Sequence, residues 1–452
     1  LTKLRSLGGT TWTDPRVEIA AARLANARDD PPSCIAHALR ALELARAHDV
    51  PGLAAEAEGL IGGAKIGTDP LGAGAYLMQA LADYRTVGNP RGQADIYLKL
   101  GNLTSGTDPA KARTFYTSSL GLSQSIGDKA GEASAEADIG IVLWQQGDRD
   151  GAEAAVRQVL ELRRETEDVK GQAWALAALA VEQSDDDASD EAIDNFRTAI
   201  ALDQTVGATD HVAFALYSLS DVLRLRGRLP EAANACAQAQ AANATLAQGE
   251  MRGSVDFECG LIALDRGELD AARAGLARAA GWAGQHFDTM TVANSELTLG
   301  QLAMAQRDWQ TAVNRLTRAN QSFARMDDVP GQALAASFLA LSFQASGRAA
   351  QAATEAGRAA TLRKRVTERQ EAVMTDIALA QYSGRAGRRG DALASLDAIA
   401  ADAGRRHWLS WTLEARLAAI EFLPPAQARR ARAALGNDAR KLGFIRIFNR
   451  LS

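Results

Sequence analysis

The sequence predicts an all-α fold: a right-handed superhelical solenoid of about ten helical hairpins, closed by a helical C-terminal cap. Three observations carry this. Alanine recurs at forty-residue intervals, as Ala112, Ala152, Ala192, Ala232, Ala272, Ala312, Ala352 and Ala392. A second small-residue column keeps the same interval, as Gly140, Ala180, Ser220, Gly260, Gly300, Ala340 and Ala380. A turn signal stands five residues before most of those alanines, at Gly147, Gly227, Gly267, Gly347 and Gly387. Helical hairpins that bury their faces only against their neighbours require such a ruler; a single globular core does not.

Within a unit the periodicity is helical. Ala133, Ala137, Gly140 and Trp144 mark the first helix of one hairpin, and Ala152, Val156, Val159 and Leu160 mark the second. Between them Gly147 relieves the first helix's C-terminus and Asp148 caps the next. Asp187 and Arg307 replace glycine at their turns and predict less relaxed backbone there. Asp69-Pro70 and Asp108-Pro109 start second helices with proline, whose missing N–H costs nothing at that position. A bulk column (Tyr116, Val156, Phe196, Cys236, Leu276, Leu316, Leu396, broken by Ala356) lies between small ones, including Val159, Ala199, Ala239, Ala279, Ala319 and Ala359. Small against large is how layers interdigitate. The early units are less regular: turns near Asp29 and Gly67 lie 38 apart, and Leu100-Gly101 is one residue out of phase.

The order of columns, as in Leu299-Gly300, Ala312, Leu316 and Ala319, resembles the central positions of the tetratricopeptide repeat. The signature tryptophan, tyrosine and closing proline are mostly missing, and each unit carries six added residues, placed between hairpins around Gly127-Asp128, Glu167-Asp168, Gly207-Ala208 and Asp327-Asp328. Phrases such as Asp168-Val169-Lys170-Gly171-Gln172-Ala173 and Asp328-Val329-Pro330-Gly331-Gln332-Ala333 resemble the long-helix variety found in bacterial regulators and scaffolds. The expected organisation is a lead-in over 1–13, the solenoid over 14–405, and a basic cap over 406–452. Trp408 to Phe422 reads as one amphipathic helix, broken by Pro424-Pro425, with two short helices after it. The solenoid's turns are expected near 29, 67, 107, 147, 187, 227, 267, 307, 347 and 387.

Composition narrows the function classes. The 452-residue chain has 50 Lys and Arg against 55 Asp and Glu, a formal charge of −5, which argues against nucleic acid as a partner of the whole. From Arg358 onward 18 basic residues face 9 acidic ones, a balance of +9 that leaves −14 for the rest. Of the three cysteines, Cys236 and Cys259 fall on apolar repeat positions and read as small core residues, not a disulfide framework. No apolar run is long enough to span a membrane. No secretory signal is visible, and because the chain begins at Leu1 it is expected to be a processed product or a piece of something longer. Either the cytoplasm or the periplasmic sensor part of a tethered protein fits.

No catalytic, metal or cofactor site is expected. His37, His48, His211, His286 and His407 lack partner spacing, the glycines are turn glycines, and Asp185-Asp186-Asp187 with Asp190 lacks the calcium-loop spacing. Binding is the default of a solenoid. In tetratricopeptide repeats the first helices line a concave groove, and the resemblance places Ala137, Ile141 and Trp144, then Trp174, Ala177 and Val181, then Phe214, Tyr217, Asp221 and Arg224, then Phe257, Leu261 and Leu264 in it. The candidate binding residues are Trp144, Trp174, Phe214, Tyr217, Asp221, Arg224 and Phe257. A protein or peptide partner of a signalling sensor, with its effector outside this chain, is the leading reading. A small-molecule effector in a pocket near Trp174 and Tyr217 is the second, and a nucleic-acid-associated role of the basic end the third.

Overall fold

The structure, a computed structural model, describes residues 14–186, 189–246, 251–367 and 369–451. Its described elements are all helices, and packing divides the chain into two compact units at Ala175 and Leu176. The lead-in over 1–13, the turn residue Asp187 and the side chains of Asp185 and Asp186 lie outside the described residues.

The first unit contains α1 (Pro15–Asn26), α2 (Pro31–Ala47), α3 (Pro51–Lys65), α4 (Pro70–Thr86), α5 (Pro90–Thr104), α6 (Pro109–Ile126), α7 (Lys129–Gln145), α8 (Arg149–Glu165) and the start of α9 (Val169–Asp186). The second continues with α10 (Asp190–Val206), α11 (Thr209–Leu225), α12 (Leu229–Ala244), α13 (Arg252–Asp265), α14 (Leu269–Gln285), α15 (Thr289–Ala305) and α16 (Trp309–Arg325). Then come α17 (Val329–Ala345), α18 (Ala349–Arg363), α19 (Arg369–Arg385) and α20 (Arg389–Arg405). The chain closes with α21 (Leu409–Ile420), α22 (Pro425–Leu442) and α23 (Ile445–Leu451). Odd-numbered helices up to α19 are first helices of hairpins. None is long and apolar enough to cross a membrane among the described residues.

The forty-residue columns are the packing seams. Ala112, Ala152, Ala192, Ala232, Ala272 and Ala312 are 0% exposed, and Ala352 and Ala392 are 1%. A Cβ added at Gly260 would stand 3.0 Å from Cγ of Leu276, and one at Gly300 only 2.8 Å from Cγ of Leu316. At Gly140 the neighbour is the Ala155 methyl at 3.2 Å. Thus at Gly260 and Gly300 the small column of the first helix receives the bulk column of its own second helix. The out-of-phase Gly101 obeys the same rule, lying under the ring of Tyr116.

The turns follow their sequence. Gly147, Gly227, Gly267 and Gly347 have φ between 76° and 79°, the left-handed region that glycine enters freely. Arg307, standing where they do, is held at φ 61°. The added residues of the repeat do not form loops. Only Gly127-Asp128 separate α6 from α7, so the extra length goes into helices of about 17 residues. Asp128, Asp168 and Asp328 each accept from the N–H three residues on, and that third residue is always glycine. A side chain at Gly331 would strike the ring of Phe323 on the preceding helix, which explains the recurrent Asp-x-x-Gly.

Two expectations are corrected. Cys236 on α12 and Cys259 on α13 form a disulfide, with Cα atoms 5.7 Å apart. The repeat columns report which helix face is apolar, whereas the bond depends on how the second helix of one hairpin faces the first helix of the next. Cys34 is free and buried. Beyond Pro424 there is one short helix, not two: Pro425 opens α22, which runs 18 residues.

Candidate functional site

In the first unit, α3, α5 and α7 line a cavity of about 510 Å³. Glu56 and Leu60 come from α3, Arg91, Asp95 and Lys99 from α5, and Ser134 from α7. The charges are paired across its wall: Arg23 with Glu56 at 2.5 Å, Arg91 with Asp128 at 2.8 Å, and Lys99 with Asp95. The Arg91 guanidinium holds the Asp128 carboxyl below its ordinary range. Surface pairs of this kind are worth about 0–1 kcal/mol each. The basic partners Arg23 and Arg91 are mostly exposed, whereas Glu56 and Asp128 are largely buried.

The same face of α7 extends beyond the cavity. Asp138 lies one turn past Ser134 and Ile141 one turn further. Burial pushes the Asp138 carboxyl up to about 6. Ile141 is 46% exposed and Trp144 41%, with the Arg149 guanidinium 4.8 Å from the Trp144 ring. Trp174 on α9, 40% exposed, occupies the position forty residues on from Ser134. Large apolar side chains left this open are candidate anchors for a bound partner.

In the second unit the sequence-derived residues separate. Phe214 is exposed, Tyr217 is half-buried, and Phe257 packs against the cluster of Leu264, Leu276, Leu299 and Leu302. Burial, with the Glu258 and Asp221 charges, drives the Tyr217 hydroxyl above its ordinary range. Arg224 is not an open polar point. It meets Asp221 at 2.6 Å, Glu258 at 2.8 Å and Asp265 at 3.7 Å. Burial works against its charge, but those carboxylates outweigh it and hold the guanidinium more firmly protonated than usual. Glu258, almost fully buried, is pushed up to about 7 by desolvation despite Arg224.

Sequence reasoning missed Arg23, Glu56, Arg91, Asp95 and Lys99. They sit in the irregular first hairpins, where the phase slip at Leu100-Gly101 blocked transfer of groove positions. The Gly101–Tyr116 contact is the signal that restores the register. The described residues contain no group of three His, Cys, Asp or Glu side chains that could hold a metal.

No family model and no curated protein matches the sequence. Solved structures do match by shape. The apo quorum sensor NprR from B. thuringiensis has a TM-score of 0.56 at 13% identity, covering 77% of this chain and 98% of its own. A Rap protein complexed with Competence and Sporulation Factor scores 0.51 at 14% identity, covering 78% and 98%. Aspartyl phosphate phosphatase F from Bacillus subtilis scores 0.51 at 11% identity, covering 80% and 96%. By fold, this chain is an all-helical repeat protein similar in shape to these solved structures.

Proposed function

We propose that this chain is the peptide-binding sensor or scaffold region of a bacterial signalling protein, whose effector lies outside this sequence. The observation that carries the reading is the face shared by α3, α5 and α7 in the first unit. There a cavity walled by ion pairs adjoins the open side chains of Ile141 and Trp144. An extended peptide matches that division. Its polar backbone and charged groups meet Arg91, Asp95, Lys99 and Ser134, and an apolar side chain meets Ile141 and Trp144. Trp174 is the next anchor by repeat register. The quorum sensor NprR and the Rap protein seen with its Competence and Sporulation Factor share this fold and support a signalling ligand.

The test is to pan a random display library of eight-residue peptides against the full chain. Enriched peptides are then titrated against wild type, Lys99→Ala and Trp144→Ala, following tryptophan fluorescence. Each substitution is expected to weaken binding about tenfold with the helical circular dichroism unchanged. Peptides that bind both variants as well as wild type, or a library that yields no binder, overturn the assignment.

A further inference from the structure

The last helix returns to the start of the second unit. Arg446 on α23 bonds Asp265 at the end of α13 at 3.0 Å and Glu414 on α21 at 2.5 Å, and Arg450 reaches Glu414 at 3.2 Å. Phe444 and Ile447 are 0% exposed and pack with Leu229 and Leu413. The turn glycines make room for this: a Cβ at Gly267 would stand 3.0 Å from Cγ2 of Ile445, and one at Gly227 3.3 Å from the Phe444 ring.

The charge balance of this place depends on α23. Asp221, Glu258, Asp265 and Glu414 are four carboxylates served by Arg224, Arg446 and Arg450. Without α23, Arg224 still faces Asp221, Glu258 and Asp265, while Glu414 loses both guanidiniums that pair with it. Carboxylates as buried as Asp265 and Glu414 do not remain unpaired without a large cost. The place left by α23 therefore demands a guanidinium beside two apolar side chains. The helix itself is only 7 residues long and is joined to α22 through Gly443, at φ 80°. So short a segment on a glycine joint can open locally without the rest of the unit unfolding.

We propose that Asp265 and Glu414, with the apolar shelf of Leu229 and Leu413, form a binding site for an arginine-bearing amphipathic helix. In this site α23 is a self-ligand, and an incoming helix with the same Phe-x-Arg-Ile pattern displaces it. The site is separate from the cavity of the first unit and stands or falls without it.

The experiment uses the full chain and a labelled synthetic peptide copying residues 442–451. Binding is measured by fluorescence anisotropy to wild type, to Arg446→Ala and to the double variant Phe444→Ala/Arg446→Ala. Loosening the internal copy is expected to tighten peptide binding at least tenfold over wild type. Adding Asp265→Asn to the double variant should remove that gain, while adding Lys99→Ala should leave it intact. A peptide carrying alanine for its arginine should bind at least tenfold more weakly. Equal binding to wild type and both variants, with their helical signals alike, overturns the proposal. Should the variants unfold, hydrogen exchange of the wild type decides. Amides of α23 exchanging at least tenfold faster than those of α13 support a detachable segment, and equal protection rejects it.

Discussion

Arg446 and Asp265 are 181 residues apart in sequence, yet their side chains meet at 3.0 Å. This contact ties the C-terminus to the end of α13, and with it comes a change in what the basic tail means. Part of its positive charge is already answered inside the chain: Arg446 and Arg450 by Glu414, Arg416 by Asp438, and Arg385 by Glu421. A tail read as a surface for an external anion is, at these positions, a lock on its own second unit. Asp265, which pairs with Arg446, also stands 3.7 Å from Arg224, so the two guanidiniums share one carboxylate.

The seam geometry makes a sharp stability prediction. Ala232 is 0% exposed on the column where α12 meets its neighbours, whereas Ala244 near the end of the same helix is exposed. Ala232→Leu is expected to cost about 1–3 kcal/mol by overpacking, and Ala244→Leu within about 0.5 kcal/mol of nothing. Thermal unfolding of the two variants checks this, and equal shifts would falsify the register.

Arg307 offers the opposite sign. Its backbone sits at φ 61° where four other units of the repeat use glycine at φ 76° to 79°. Left-handed backbone costs an ordinary residue about 1–2 kcal/mol, while glycine gives back part of that through its freer unfolded chain. Arg307→Gly is therefore expected to stabilise by about 0.5–1 kcal/mol. Urea unfolding with an unchanged slope is the measurement, and a lower midpoint than wild type rejects the argument.

The fold was legible because its seams need small residues at fixed intervals, and a fixed interval is visible in one sequence. Gly260 against Leu276 and Gly300 against Leu316 are such cases. Which candidate side chains stay open was only half legible. Repeat register located Ile141, Trp144 and Trp174, which are open, but it also nominated Arg224 and Phe257, which are engaged within the second unit. Position within a repeat tells which way a side chain points. It does not tell which carboxylates converge on Arg224, nor that Cys236 faces Cys259 across two hairpins. Those facts depend on long-range closure, which has no period.

The disulfide between Cys236 and Cys259 spans 23 residues and joins α12 to α13. In the loop-entropy account a closure of that length contributes about 3 kcal/mol. Reduction with a thiol, or the pair Cys236→Ala/Cys259→Ala, is expected to lower the unfolding midpoint by a matching amount, and Cys34→Ala should leave the thiol sensitivity intact. Calorimetry with and without reductant reads the difference. A midpoint indifferent to reductant would show that the bond carries no stability.

Glu258 predicts a pH dependence. It faces Tyr217, Asp221 and Arg224 from α11 and Asp265 from its own helix, with Cys236 bonded to the next residue. Desolvation raises its carboxyl to about 7, with Asp221 and Asp265 adding to the rise and Arg224 opposing it. A carboxyl raised in the folded state favours the protonated form. Its ionisation costs nothing near its ordinary value of 4.5 and below, and the cost grows as pH climbs from there towards 7. Glu414 runs the other way: Arg446 and Arg450 overcome its burial and lower it, so its contribution is present above 4.5 and lost in acid. Between pH 5 and 7 the Glu258 slope therefore stands alone within this cluster. Glu258→Gln should remove it, gaining about 2 kcal/mol on wild type at pH 7 relative to the comparison at pH 5. Unfolding midpoints of both proteins at the two pH values test this. A variant-minus-wild-type difference that does not change with pH means that Glu258 is ionised throughout and the cluster is wetter than its packing indicates.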